Sequence, residues 1–351
     1  MALGSDTGGS VRNPASACGI VGLKPTYGLV SRRGVFPLSF TLDHVGPLTR
    51  TVADNALMLD VIAGHDPLDP GSAVAPTGHY ASGLERGIRG LRIGFVRHFH
   101  ETDMPADPEV KAALEQVVGT LQTLGAEIRD VRLPSLEEFA AVNRVILQSE
   151  AWAIHGAWLR ERPGDYGQLA RRRLMAGAFM SAGDYVHASR RRLAMIAAVE
   201  DVLRQVDVLL CASAMDPPSR IDEAREVERT YPRQARTPFN VTGHPALAMM
   251  AGISSSGLPL SGVTTRKCSE CTTSRRSVNG LRAGMSAAPL MAAARVAAGV
   301  TSPTCQERTP APRDAPAGTP NALRAVARPF KRMFWLKAPR SIRPGPVDHQ
   351  R

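Results

Sequence analysis

The sequence has no run of about 20 consecutive apolar residues, the length that an α-helix needs to cross a bilayer. Its first 15 residues also lack the basic start and the apolar core of a secretory signal peptide. The first absence argues against an integral membrane protein, and the second argues against secretion. We therefore expect a cytoplasmic protein that has no membrane partner.

Cysteine is scarce, with five residues in a chain of 351, and their spacing is irregular. An odd number at irregular spacing argues against a disulfide framework. Cys268 and Cys271 form a lone C-x-x-C motif, whereas a structural zinc site uses four ligands and no second pair follows. The sequence therefore predicts no metal site.

Acidic residues are almost missing from the last ninety positions, and this changes the meaning of the net charge of +11. A strongly basic protein suggests at first a nucleic-acid partner. Residues 1–261, however, hold 27 Lys and Arg against 28 Asp and Glu, whereas residues 262–351 hold 16 against 4. We therefore expect no specific nucleic-acid partner for the nearly neutral body.

Residues 262–351 also lack a sustained hydrophobic period and are rich in Arg, Ala, Pro, Gly, Ser and Thr. This composition is typical of a disordered basic tail, and also of a GC-rich gene read out of frame. We expect a partial domain at 1–261 and a disordered or out-of-frame tail at 262–351. A non-enzymatic binder that acts through the tail is one hypothesis, and its affinity would fall steeply with salt.

The body alternates short apolar runs with amphipathic segments, which is typical of an α/β protein. We predict strands at 91–96, 126–133 and 206–211, and helices at 51–64, 107–125, 135–160 and 182–205. Asp107 and Gly125 are expected to begin and end one helix, and Thr51 and Gly64 another. The β-α-β spacing around residues 91–133 favours parallel pairing of its two strands.

The stretch "GSDTGGS", Gly4 to Ser10, has the composition of a reactive loop. Gly8 and Gly9 permit positive φ angles and a close approach by a substrate. A concave row of backbone N–H groups stabilises a developing negative charge, and a serine at its end is placed to attack a carbonyl carbon. Loops of this composition are more often turns or phosphate cradles, so the surrounding sequence has to decide.

A longer stretch around this loop supplies that context. "GSDTGGSVRNPASACGIVGLKPTYG", residues 4–28, resembles the signature of the amidase signature family, a family of serine amidohydrolases. Family members carry the same residue types at Asp43, Gly46, Pro47, Arg50, Asp54 and Asp66, and "TPFNVTGHPALAMMAGISSSGLPLS" is similar to a late family segment. The resemblance spans about residues 3–261. It implies an α/β fold with a mixed β-sheet core flanked by helices, and amide hydrolysis without a metal or an organic cofactor.

The resemblance also implies roles for single residues. Ser10 corresponds to the nucleophile. The loop N–H groups correspond to an oxyanion hole, and they belong to Thr7, Gly8, Gly9 and Ser10. Three further residues correspond to supports of the loop, namely Ser5, Asp6 and Arg12. The implied substrate is a small-molecule amide, and the implied alternative is a glutaminase like that of the glutamyl-tRNA(Gln) amidotransferases. A homodimer is a further expectation.

The sequence departs from the family pattern at both ends. The family uses a Ser–cis-Ser–Lys triad whose bridging serine and lysine lie well upstream of the nucleophile, and only nine residues precede Ser10. Residues 1–261 hold two lysines, Lys24 and Lys111, and neither is a convincing base. After "GLPLS" the family continues with a core strand that we do not find. We therefore expect an N-terminally truncated, frame-shifted fragment with little or no amidase activity.

Several other residues have a plain structural interpretation. His44 is expected to be a structural or surface histidine rather than a base. The run Arg190 to Arg192 is expected on a solvated helix face. Phe239, Asn240 and Gly243 are expected either to line the floor of the substrate pocket or to form a tight turn between core elements.

Overall fold

A computed structural model of the protein describes residues 1–74, 77–85 and 87–266. Within these residues the strands are Ala2–Asp6 (β1), Val21–Lys24 (β2), His44–Thr49 (β3), Arg92–Phe95 (β4), Glu127–Asp130 (β5), Val208–Ala212 (β6), Ala246–Ile253 (β7) and Pro259–Arg266 (β8). The α-helices are Arg12–Cys18 (α1), Val52–Ile62 (α2), Pro108–Thr123 (α3), Leu136–Glu161 (α4), Gln168–Met175 (α5), Ala182–Leu203 (α6), Ala224–Thr230 (α7) and Thr237–Thr242 (α8). The C-x-x-C motif and the expected tail beyond residue 266 lie outside the described residues.

The eight strands form one mixed sheet in the order β1-β3-β2-β7-β8-β6-β4-β5. β4 pairs in parallel with both β5 and β6, and the other neighbouring strands are antiparallel. Helices pack against the sheet, with α1 against β2, β7 and β8, and α3 against β7 and β8. This architecture confirms the predicted α/β class with a mixed β-sheet core flanked by helices.

The predicted β-α-β unit consists of β4, α3 and β5, and its two strands are parallel. The Asp107 side chain accepts a hydrogen bond from the Glu109 N–H at 2.8 Å, and Pro108 occupies the first helical position. Both features favour a helix start. The apolar stripe of α3 is buried, and a fully buried leucine such as Leu114 contributes about 2 kcal/mol. Gly125, with φ of +90°, follows the helix as predicted.

α2 ends at the predicted position, but by a different contact. Thr51 accepts a side-chain hydrogen bond at the start of the helix, as expected. The helix stops at Ile62, two positions before Gly64, which is the same spacing as between the end of α3 and Gly125. Ala63 has an extended backbone and forms an antiparallel bridge with Val30. An extended residue cannot continue the helix, so Ala63 ends α2 rather than a left-handed glycine.

β8 extends past the boundary that we expect at residue 261. The strand lies between β7 and β6 in the interior of the sheet. Val263 and Thr265 are buried, and β-branched residues suit such a position. Thr265 lies opposite Ala246 of β7 and Leu209 of β6. Residues 262–266 therefore belong to the sheet rather than to the expected tail.

α4 and α6 are the two long helices of the described residues, and they pack against each other. The Ser135 hydroxyl accepts a hydrogen bond from the Glu138 N–H at 3.3 Å at the start of α4. Charged residues interrupt the apolar positions along both helices. No described helix is long and apolar enough to cross a membrane.

Candidate active site

The loop of residues 7–11 joins the end of β1 to the start of α1. β1 ends at Asp6, which stands opposite His44 at the start of β3. The loop turns tightly, because the Asn13 N–H donates a hydrogen bond to the Gly9 carbonyl at 2.7 Å. A short strand followed by small residues thus presents the predicted nucleophile, Ser10, at the surface.

The buried Asp6 carboxylate organises this loop. It accepts hydrogen bonds from the backbone N–H of Gly9 at 2.7 Å and of Val11 at 3.2 Å. The Arg12 guanidinium binds both carboxylate oxygens, at 3.0 and 3.1 Å. Burial alone would raise the pKa of Asp6, but the charge and the hydrogen bonds of Arg12 outweigh burial and hold this pKa well below its ordinary value. Asp6 therefore stays ionised at neutral pH.

Asn240 of α8 completes this support from the far end of the sequence. Its side-chain oxygen accepts a hydrogen bond from Arg12 Nη2 at 2.6 Å, and its Nδ2 donates to the Asp6 carboxylate at 2.9 Å. Arg12 Nη1 also donates to the Arg236 carbonyl at 2.8 Å. The side chain of Asn240 is therefore buried in the support of the loop, which fits the structural alternative, and a role in the pocket floor stays a prediction. Gly243 follows α8 with φ of +76°, which fits the alternative of a tight turn.

Gly9 is required by both its conformation and its surroundings. Its φ of +116° lies in the region that side chains rarely adopt, and a Cβ there would lie 2.5 Å from the Cδ of Arg236. The Arg236 guanidinium lies over the Tyr231 ring, 4.3 Å from its centroid. The space beside Gly9 is thus filled by an arginine that has its own partner.

The backbone N–H groups of the loop divide into engaged and free ones. The Gly9 N–H donates to Asp6 at 2.7 Å, so this group is already engaged, and its expected place in the oxyanion hole stays a prediction. The N–H groups of Thr7, Gly8 and Ser10 have no acceptor among the described residues. These three groups are available to a carbonyl oxygen bound beside the loop.

Thr7 attaches the loop to the following parts of the chain. Its hydroxyl donates a hydrogen bond to Asp43 at 2.6 Å, and its carbonyl accepts one from Asn143 of α4 at 3.4 Å. The second Asp43 oxygen accepts the N–H groups of Leu38 and Ser39 at 2.8 and 3.0 Å. The loop is therefore anchored twice, by the Asp6 carboxylate and by the segment of residues 38–43.

A buried carboxylate that the sequence did not reveal, Glu150 of α4, holds this same segment. It accepts hydrogen bonds from the Ser39 hydroxyl, from the Thr41 N–H at 3.0 Å and from the Tyr185 hydroxyl at 2.8 Å. Arg192 donates to the Thr41 carbonyl at 3.1 Å. The expected position on a solvated helix face is therefore wrong for this residue. Its neighbours in the run, positions 190 and 191, are exposed.

Three further titratable side chains lie buried behind the loop, at the end of β2, at the start of β3 and just before β7. Lys24 Nζ donates to the Pro25 carbonyl at 3.0 Å. Burial, supported by the charge of Arg12, holds the pKa of Lys24 well below its ordinary value. Burial likewise lowers the pKa of His44 and brings that of His244 to about 4. His44 Nδ1 lies 2.7 Å from the Leu42 carbonyl, a structural position as expected.

The two exposed serines of the motif make few contacts. Ser10 Oγ forms no hydrogen bond with any described side chain or backbone group, so no base within this part of the chain is bonded to it. Ser5 lies on β1, and its hydroxyl likewise has no partner among the described residues. The structure thus brings Asp6 and Arg12 together as supports of the loop and leaves Ser5 outside them.

One group of possible metal ligands lies elsewhere, at His100, Glu101 and Glu115. Their ligand atoms lie within 4.8 Å of one another. The guanidinium of Arg97 already contacts both carboxylates, at 3.6 Å from Glu101 and directly at Glu115. A cation of the chain itself is therefore already paired with this group, which is separate from the loop.

Comparisons with known proteins identify the family of this chain. A family model described as Amidase matches residues 1–273. An amidase from Pseudomonas putida is 43% identical over 270 residues, which cover 74% of this chain and 57% of that protein. The A subunit of the glutamyl-tRNA(Gln) amidotransferase from Geobacter sp. (strain M21) is 37% identical over 284 residues, with 74% and 58% covered.

A solved structure is also similar over most of the chain. A chain from a vestigial protein complex, described in relation to the origin of an s-triazine catabolic enzyme, superposes with a TM-score of 0.71. It is 30% identical, and the match covers 84% of this chain and 61% of that one. The chain thus spans 57–58% of the length of the two curated relatives above.

Proposed function

Because the chain belongs to the Amidase family, we propose that its loop at residues 4–10 serves the hydrolysis of a carboxylic amide, with Ser10 as the nucleophile. The observation that carries this proposal is the arrangement of the loop itself. An exposed serine hydroxyl follows a turn whose free N–H groups belong to Thr7, Gly8 and Ser10, and the ionised Asp6 holds that turn from behind.

The proposed reaction is an acyl transfer followed by hydrolysis. Ser10 Oγ bonds to the amide carbonyl carbon, and the electron pair of the C=O bond moves to its oxygen. The free loop N–H groups stabilise this oxyanion. The C–N bond then breaks, the amine or ammonia leaves with a proton, and water hydrolyses the Ser10 ester. We propose that the substrate is a small-molecule amide and that the protein acts in the cytoplasm.

The proton of Ser10 needs an acceptor, and no described residue forms a hydrogen bond with Ser10 Oγ. Lys24 is the buried amine behind the loop, but its Nζ is bonded to the Pro25 carbonyl. The family resemblance implies a bridging serine and a lysine as the proton acceptors, and no described residue is bonded to Ser10 in this way. We therefore propose that this chain by itself hydrolyses amides weakly or not at all.

Steady-state release of ammonia from benzamide and indoleacetamide tests both parts of this proposal. A chimera that adds the upstream portion of the Pseudomonas putida amidase supplies the missing partners. We expect the chimera to gain activity, a Ser10→Ala variant of it to lose at least about a hundredfold, and Ser5→Ala to lose little. An active chimera that tolerates Ser10→Ala refutes the nucleophile, and strong activity of the unaltered chain refutes the need for added partners.

Glutamine is the alternative substrate. It is supported by the glutamyl-tRNA(Gln) amidotransferase relatives, which are 37% identical or nearly so. The Pseudomonas putida amidase is more similar, at 43%, and this favours the simple amides. A chimera that hydrolyses glutamine at least about tenfold faster than benzamide, measured as kcat/KM, would reverse the order of the two candidates.

A further inference from the structure

Gly8 stands between two peptide bonds of the loop at residues 7–11, and a glycine does not fix their orientation by itself. A residue without a Cβ adopts many backbone conformations, so an ordered N–H at Gly8 needs partners outside this residue. The Gly8–Gly9 bond has such a partner, since the Gly9 N–H donates to the Asp6 carboxylate at 2.7 Å. The partner of the Thr7–Gly8 bond lies on α4.

Asn143 of α4 lies along the Thr7–Gly8 peptide. Its Nδ2 donates a hydrogen bond to the Thr7 carbonyl at 3.4 Å. A Cβ on Gly8 would lie 3.4 Å from Asn143 Oδ1, so both polar atoms of the amide are beside this peptide. Asn143 is buried, and its helix neighbours Val142 and Ile146 belong to the hydrophobic core. The packing of α4 in the core therefore fixes the position of this amide.

The planarity of the peptide bond converts this contact into an orientation of the Gly8 N–H. In a trans peptide the carbonyl and the N–H point in opposite directions, and no described peptide bond is cis. A donor that holds the Thr7 carbonyl on the side of α4 therefore directs the Gly8 N–H away from α4. This N–H has no acceptor among the described residues, so it is available to a bound oxyanion.

A second contact holds Thr7 by its side chain. The Thr7 hydroxyl donates to Asp43 at 2.6 Å, and Asp43 in turn accepts the Ser39 N–H at 3.0 Å. The Ser39 hydroxyl donates to Glu150, which lies two helical turns after Asn143 on α4. α4 thus holds Thr7 twice, directly at the carbonyl and through the segment of residues 38–43 at the hydroxyl.

We propose that Asn143 is a positioning residue, which orients the Gly8 N–H towards the oxyanion that forms when Ser10 attacks an amide. This role rests on the proposed function, because the oxyanion forms only if Ser10 is the nucleophile. Asn143 acts through the Thr7–Gly8 peptide and needs no contact with the substrate. A donor that is already ordered requires no reorganisation in the transition state, and this is how fixed N–H groups lower a barrier.

Backbone amide relaxation of Gly8, measured by NMR on the full 351-residue chain, tests this orientation without any amidase activity. The order parameter of the Gly8 N–H should be about 0.85 in the unaltered chain and should fall below about 0.6 in Asn143→Leu, which removes the donor. Asn55→Leu on α2 is the matched control. It also loses a buried amide, whose partners are Pro47 and Thr49, and it should leave Gly8 ordered.

Three results of this measurement overturn the proposal. The first is a Gly8 amide that stays ordered in Asn143→Leu, and the second is one that is already mobile in the unaltered chain. The third is an equal loss of order in Asn55→Leu, because general destabilisation then explains the effect. Asn143→Ala takes the place of Asn143→Leu if the larger leucine side chain prevents folding.

The chimera with the upstream portion of the Pseudomonas putida amidase gives the catalytic readout. Loss of one oxyanion donor lowers kcat by about 100- to 1,000-fold, so a disordered Gly8 N–H should lower kcat at least about tenfold. The KM for benzamide should change by less than about threefold, because the contact strengthens in the transition state. If Asn143→Leu raises KM and keeps kcat, the positioning role is refuted. A chimera without any activity speaks against the proposed function, and the order parameter of Gly8 then decides whether Asn143 orients it.

Discussion

Replacement of Arg12 by leucine tests whether the buried ion pair beneath the loop holds the fold together. The substitution leaves the Asp6 carboxylate fully buried and removes two hydrogen bonds of 3.0 and 3.1 Å. A buried charge that loses its partner costs about 3–5 kcal/mol. For a domain of this size, that loss lowers the melting temperature by roughly 10 °C, since about 1 kcal/mol corresponds to 2–4 °C. Thermal and urea unfolding of Arg12→Leu measure it.

The chain offers a matched control in the pair of Arg92 and Asp207. This pair is also bidentate, at 2.7 and 3.1 Å, but its side chains are 40% and 35% exposed. Solvent screens such a pair, so Arg92→Leu should lower stability far less than Arg12→Leu. Equal losses in the two variants would refute the reasoning that burial decides the cost. Asp6→Asn combined with Arg12→Leu should recover part of the loss, because no unpaired charge then remains.

Three further predictions concern single residues near the loop. Gly9→Ala should destabilise the fold more than Gly34→Ala does. Both glycines have a positive φ, but only a Cβ at Gly9 would meet an arginine. The urea unfolding midpoints of the two variants test this difference. The pKa of His244 is about 4 in the folded chain, below its ordinary value of 6.5. The neutral side chain therefore contributes to the free energy of unfolding above pH 6.5, and this contribution is lost as the pH falls from 6.5 to about 4. Urea unfolding midpoints measured at a series of pH values detect the loss. Glu150→Gln should cost about 1–3 kcal/mol, because an amide nitrogen cannot accept the hydrogen bonds of the carboxylate, whereas the exposed Glu138→Gln should change the midpoint little.

Local sequence was sufficient to predict an element wherever a residue and its near neighbours determine where that element begins and which side is buried. The start of α3 follows from Asp107 and Pro108, and its buried face follows from the spacing of its apolar residues. The end of α2 was predicted at the right position, but an extended Ala63 that contacts Val30 ends this helix rather than a left-handed glycine at residue 64. The strand beyond residue 261 was also missed, because its charge and composition resemble those of the segment that follows.

The amino-acid sequence alone establishes the class of the fold, the family and the position of the loop at residues 4–10. These depend on short-range patterns, caps and a contiguous motif, and all of them can be recognised in the printed letters. Which distant residues complete the support of that loop is known only from the folded chain. Asn240 meets Arg12 across 228 positions, and Glu150 meets Ser39 across 111. Hydrogen bonds over such separations exist only after the sheet has assembled, because no local rule relates the residues that they join.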